Sequence, residues 1–152
     1  MPLSDLVAPQ AVIPALKVNN KKQALQEIAA RAAALSGITE RDILDVVQQR
    51  EKLGSTGIGN GIAIPHGKLA KLPRLFGLFA RLERGFVFEA LDGQPVDLVF
   101  LLLAPEAAGA DHLKALARVA RLLRSSETAK MLRDSRDAEA IYAVLTMPPP
   151  GT

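Results

Sequence analysis

The chain has 152 residues, 49% hydrophobic and 23% charged, proportions that suit one globular domain and exclude a disordered or low-complexity chain. It contains no cysteine, which rules out disulfides and thiolate metal sites, and its net charge of +3 comes from 19 basic and 16 acidic residues that are interspersed. With 4% aromatics and no tryptophan there is no base-stacking platform, so nucleic acid is not an expected partner.

The opening residues, "MPLSDLVAPQ", lack the basic start and apolar run of a signal peptide. No apolar run approaches the roughly 20 residues that span a bilayer, so a cytoplasmic location without membrane insertion is expected. "AVIPAL" predicts a brief extended segment. Asn19 or Asn20 can cap a helix running to about Leu35, with Leu25, Ile28, Ala29 and Ala32 on one stripe and Gly37 as its stop. Thr39 opens a second helix, with Asp42 three residues on in a capping-box-like position. Ile43, Leu44 and Val47 form its buried face, and Gly54 ends it.

A glycine-rich loop follows, in which "GIAIPH" predicts a short strand stopped by Pro65. "LFGLFARL" and "VDLVFLLLA" are the best strand candidates; the second is almost continuously apolar, as a central strand covered on both faces would be. Asp92-Gly93 between them favours a hairpin or tight reversal, which brings an antiparallel pair into the sheet. From Asp111 the pattern returns to helix, with Leu113, Leu116, Ala117, Ala120 and Leu123 inward and Lys114, Arg118 and Arg121 outward. Ser126 and Ser135 are candidate caps for two further short helices. The expectation is an α/β fold: a domain over residues 1–146 with a mixed, roughly five-stranded sheet flanked by helices on both faces, and a disordered tail over 147–152.

The stretch "STGIGNGIAIPHGKL", residues 55–69, carries the chemistry. It matches neither the dinucleotide fingerprint, since Ile62 or Ile64 stands where the third glycine belongs, nor a P-loop, since Leu69 follows Lys68. Two histidines far apart in sequence make a poor metal site, and no serine elbow is present. What remains is His66 at the end of a short strand, beside a backbone whose free amides can nest an anion. A neutral imidazole is nucleophilic near pH 7, so His66 is a candidate phosphoryl acceptor; the bland alternative is a satisfied histidine in a tight turn.

Arg50 falls on the inward stripe of the second helix and emerges next to the glycine loop. Its guanidinium suits phosphate oxygens, although an ordinary ion pair or a snorkelling side chain fits the spacing equally well. His112, with Asp111 as cap, occupies the first turn of a helix, a favourable place for an anion; a solvent-exposed ring is the alternative.

These residues resemble the active-site signature of enzyme IIA domains of the bacterial phosphoenolpyruvate-dependent phosphotransferase system, fructose/mannitol class, and most closely its nitrogen-regulatory branch. "LSDLVAPQAVIPALKVNNKKQALQEIA", "LDVVQQREKLGSTGIGNGIAIPHGKL" and "LDGQPVDLVFLLLAPE" extend the resemblance over most of the chain. It implies that His66 becomes a tele-phosphohistidine, while the residues themselves do not distinguish the two ring nitrogens. It also implies that Arg50 and His112 complete the phosphoryl pocket. Ser55 and Thr56 are weaker candidates there, as hydroxyl donors. The implied donor is a histidine-containing phosphocarrier protein, the implied output is phosphorylation-dependent binding to regulated targets of kinase or potassium-transport type, and no cofactor or metal is implied. Relay to a IIB domain as a detached sugar-specific component, binding without phosphorylation, and a homodimer all stay open.

Overall fold

The computed structural model describes residues 3–147. Its spine is an antiparallel pair, β5 (Phe76–Phe86) and β6 (Val96–Pro105), with Phe76 opposite Leu103 and Arg81 opposite Leu98. Residues 77–82 of β5 and 98–104 of β6 are buried without interruption. Successive side chains of a strand point to opposite faces, so both faces of the sheet are covered there. β1 (Val7–Leu16) runs parallel to β5, whereas β3 (Ile62–Ala63) and β4 (His66–Leu69) run parallel to β6. β2 (Gly57–Gly59) closes the far edge antiparallel to β3. The sheet is therefore mixed, in the order β1-β5-β6-β3-β2 with β4 also on β6. It has six strands where roughly five were expected. The extra one arises because Pro65 interrupts the glycine-loop strand without ending it. Ile62 and Ala63 pair with Leu98 and Val99, and His66 and Gly67 resume in the same register with Leu102 and Leu103. Proline removes a donor from the ladder, yet the Pro65 carbonyl still accepts from Leu102 N–H at 3.0 Å.

The five α-helices among the described residues form a pair and a trio. α1 (Lys21–Ser36) begins where the Asn20 side chain accepts from Gln23 N–H at 2.8 Å and ends at left-handed Gly37. α2 (Glu40–Leu53) begins at Thr39, whose hydroxyl accepts from Asp42 N–H at 3.2 Å. α2 lies against β4, and glycine is required there: a Cβ on Gly67 would come within 2.8 Å of Val46 Cγ2. The second group is α3 (Ala110–Arg124), α4 (Ser126–Asp134) and α5 (Ala138–Leu145). Ser125 and Asp137 cap the last two helices, one and two residues from the serines expected to do so. Asp92-Gly93 does make a turn, with Gly93 N–H donating to Ala90 O at 3.0 Å, but inside a longer connection rather than as a two-residue hairpin. Of the tail expected to be disordered, only Met147 falls within the described residues.

α3 departs most from its expected form. Gly109, not Asp111, stands at its cap, and no side chain caps it. The buried stripe is His112, Ala115, Val119 and Leu123. The stripe expected to start at Leu113 is displaced by one residue, because a pattern built on apolar side chains passes over a buried histidine. Leu113 is 66% exposed and His112 only 6%.

Candidate functional site

The break at Pro65 is what builds the site. His66 opens β4, and its Nδ1 lies 2.8 Å from Ile64 O, a carbonyl of the interrupted stretch. A carbonyl oxygen only accepts, so Nδ1 carries the proton and Nε2 keeps the lone pair. The ring is half-buried. Burial pushes its pKa below the ordinary histidine value and the Arg50 charge adds to that; the bond to Ile64 and the Glu51 carboxylate pull the other way. The net direction is down, so near pH 7 His66 is a neutral imidazole with a nucleophilic Nε2.

Facing it across the site is His112, in the first turn of α3. The two ring centroids are 5.7 Å apart and tilted by 58°. His112 Nδ1 is buried without a hydrogen-bond partner. Burial lowers this ring's pKa as well, with further contributions from His66 and Lys68. Two close rings that both resist protonation make a pocket where an imidazolium is costly. The uncapped start of α3 adds free backbone N–H groups and the positive end of a helix dipole.

Arg50 stands in the last turn of α2 and donates from Nη1 to Gly54 O at 2.8 Å. Its charge is near enough to bear on the His66 ring. Arg50, His66 and His112, separated in sequence, are thus brought together. Ser55 and Thr56 are placed differently. The Ser55 hydroxyl donates to Phe88 O at 3.2 Å while accepting from Gly57 N–H at 3.1 Å, and the Thr56 hydroxyl donates to Glu51. Both protons are committed to partners within the fold. Several of the amides expected to nest an anion are also engaged: Thr56 N–H donates to Glu51, Asn60 N–H to Asp92 and Ile64 N–H to Thr56 O. The groups left around the His66 ring are the Arg50 charge, the neutral His112 ring and the positive end of the α3 dipole.

Sequence reasoning passed over the residues that hold the loop. Glu51 accepts from Lys21 Nζ at 2.9 Å and Thr56 N–H at 3.1 Å, with its side chain 7% exposed. One signal was available: an acidic residue in the last turn of a helix opposes the helix dipole and needs compensation. At the loop's far turn, Arg133 bridges Asp97 (2.9 and 3.0 Å) and Asn60 O (2.6 Å). No group of three or more histidine, cysteine, aspartate or glutamate side chains able to hold a metal ion occurs among the described residues. Among the described residues, no helix is long and apolar enough to cross a membrane.

Three comparisons bear on this geometry. The family model described as "Phosphoenolpyruvate-dependent sugar phosphotransferase system, EIIA 2" matches residues 5–147. A nitrogen regulatory protein of Bradyrhizobium diazoefficiens is 70% identical over 149 residues, covering 98% of this chain and 97% of its own. One of Escherichia coli strain K12 is 42% identical over 128 residues, covering 84% and 78%. The crystal structure of the nitrogen regulatory protein IIA-Ntr from Neisseria meningitidis superposes with a TM-score of 0.90 at 33% identity, over 95% of this chain and 99% of that one. By its sequence, its fold and its relatives, the chain belongs to the EIIA type 2 family of the phosphoenolpyruvate-dependent phosphotransferase system, among its nitrogen regulatory proteins.

Proposed function

We propose that the protein is a phosphohistidine carrier with a regulatory output. Nε2 of His66 attacks the phosphorus of a phosphorylated histidine on the phosphocarrier protein. The bond from phosphorus to the carrier's ring breaks as the Nε2–phosphorus bond forms, and the leaving electron pair stays on the carrier ring. The observation that carries this reading is the 2.8 Å contact between His66 Nδ1 and Ile64 O, which leaves the opposite nitrogen unprotonated. Arg50 and the α3 start spread the charge of the transferring group, and His112 sets the far wall at 5.7 Å between ring centroids. Positioning and electrostatics are the main protein contributions to such a transfer. Ser55 and Thr56 serve by holding the loop in shape. The phosphorylated and free forms then bind regulated targets, of kinase or potassium-transport type, with different affinity. The reading requires a cytoplasmic protein, where phosphoenolpyruvate and its phosphocarrier act.

The test is incubation with phosphoenolpyruvate, enzyme I and the phosphocarrier, followed by intact mass. One acid-labile phosphoryl group on the wild-type chain and none on His66→Ala is the expected result. No gain with competent partners would leave a binding-only regulator. The matching family is described as a sugar system, which favours one second reading: relay to a sugar-specific IIB protein. Adding a fructose- or mannitol-type IIB separates the two, since onward loss of the phosphoryl group supports relay and its retention supports regulation.

A further inference from the structure

We propose that Glu51 is a positioning residue for His66, fixing the tautomer of its ring through Thr56 and Ile64; this rests on the phosphohistidine reading. The Glu51 carboxylate is almost fully buried and holds Thr56 twice, by the backbone N–H at 3.1 Å and by the side-chain hydroxyl. Thr56 O then accepts from Ile64 N–H at 3.0 Å. Ile64 O in turn faces His66 Nδ1 at 2.8 Å. The chain of contacts therefore runs without a gap from a buried charge to the nitrogen opposite the reacting one.

The chemistry needs this bond. A neutral imidazole carries its proton on either nitrogen, and the hydrogen bond made by one decides which. If Ile64 O drifts, the alternative tautomer places the proton on Nε2 and blocks attack. Ile64 directly precedes Pro65, where pairing with β6 is interrupted, so the residue that presents this carbonyl is anchored through its own N–H to Thr56 O. Glu51 in the last turn of α2 sits against the negative end of the helix dipole. Lys21, 2.9 Å away, offsets that cost and leaves the remaining contacts of the carboxylate to Thr56. Arg50 precedes it in the same turn and donates to Gly54 O, so the helix end grips the loop by both residues. A brace that served stability alone would leave the ring tautomer untouched, and that difference is measurable.

The experiment uses the full chain labelled with nitrogen-15, as wild type, Glu51→Ala, Glu51→Gln, Thr56→Val and Lys21→Met. Ring nitrogen shifts of His66 report the tautomer, the uptake rate with phosphocarrier reports kcat and KM, and melting reports stability. Glu51→Ala is expected to reduce the Nδ1–H tautomer and to lower kcat about tenfold or more, since small misplacements of reacting groups cost up to ~100-fold, with KM for the carrier unchanged. Thr56→Val falls between. Lys21→Met lowers the melting temperature but keeps the tautomer and the rate within about twofold, because the Thr56 contacts remain. Reduced stability with an intact Nδ1–H tautomer and wild-type kcat in Glu51→Ala and Thr56→Val overturns the proposal. Should Glu51→Ala fail to fold, Glu51→Gln and Thr56→Val decide by the same readings. The tautomer is read on unphosphorylated protein, so its result stands apart from a wild-type chain that takes up no phosphoryl group.

Discussion

The glycine loop is attached to the rest of the molecule at two places, and the two attachments are built differently. Its near end, Gly54 to Thr56, is held by Arg50 and by the buried Glu51, adjacent residues in the last turn of α2. Its far turn is held by Asp92, which accepts from Asn60 N–H at 2.9 Å, and by Arg133, which bridges Asn60 O and Asp97. The Arg133–Asp97 pair is about one-third exposed on each side, whereas Glu51 is hidden. Only the near attachment bears on the electrostatics of His66, through Arg50 and Glu51. The far turn is needed for shape: Gly61 has φ +80°, and a Cβ there would come within 2.7 Å of Asp97 Oδ1. One end of the loop sets the surroundings of the His66 ring and the other its register.

That division is broken most sharply at Arg50. Arg50→Ala removes a charge beside the transferring group and is expected to cut the rate of phosphoryl uptake about 100-fold, as loss of a single transition-state donor commonly does. Melting should move little, because the guanidinium's hydrogen bond to Gly54 O is exposed. Arg50→Lys keeps the charge but loses the fork and should recover part of the rate. Equal losses of melting temperature and rate would make Arg50 a brace like Arg133. At the far end the expectation reverses. Arg133→Ala should cost about 1 kcal/mol, a partly exposed pair plus one carbonyl contact, and lower melting by ~2–4 °C in a chain of this size. Phosphoryl uptake should stay within about twofold of wild type; a tenfold loss would show that register at Asn60 is transmitted to His66.

How much of this could be read from the sequence depends on how local the cause is. Asn20, Thr39 and Gly37 were legible because a cap is a contact across three or four residues. His66 and Arg50 stood out because glycine density and a charge on an apolar stripe are both local anomalies. His112 was legible as a residue but not in its setting. Its burial shifts the inner stripe of α3 by one position, and a pattern of apolar residues alone chooses Leu113 instead. The sixth strand was hidden for a related reason: Pro65 reads as a stop, and only pairing with β6 shows that the chain continues in register. The distant partners are Lys21 for Glu51 and Asn60 and Asp97 for Arg133, while Thr56 lies only five residues from Glu51 but across the end of α2. Arg133 carries no local sign that separates it from a solvated charge, and Glu51 carries only its unfavourable place in the last turn of α2.

The smallest expected effect lies in pH, and it sharpens the contrast between the two histidines. Both rings titrate below the ordinary histidine value in the folded chain, chiefly because of burial. The unfolded chain takes up protons near pH 6.5. On acidification it therefore binds them first, which stabilises the unfolded state. The contribution of these rings to stability is complete above about pH 6.5 and falls as pH drops from there toward the folded values. Each ring contributes a slope of at most ~1.4 kcal/mol per pH unit. His66 is half-exposed and keeps its Ile64 partner when protonated, whereas His112 would bury an imidazolium whose Nδ1–H has no acceptor. Most of the slope should therefore belong to His112. Melting curves between pH 7.5 and 5.5 should show a shallower decline in His112→Gln than in wild type, and His66→Gln should change the slope less. The reverse order would mean that the buried ring finds an acceptor on protonation, and that the pocket rearranges before any phosphoryl group arrives.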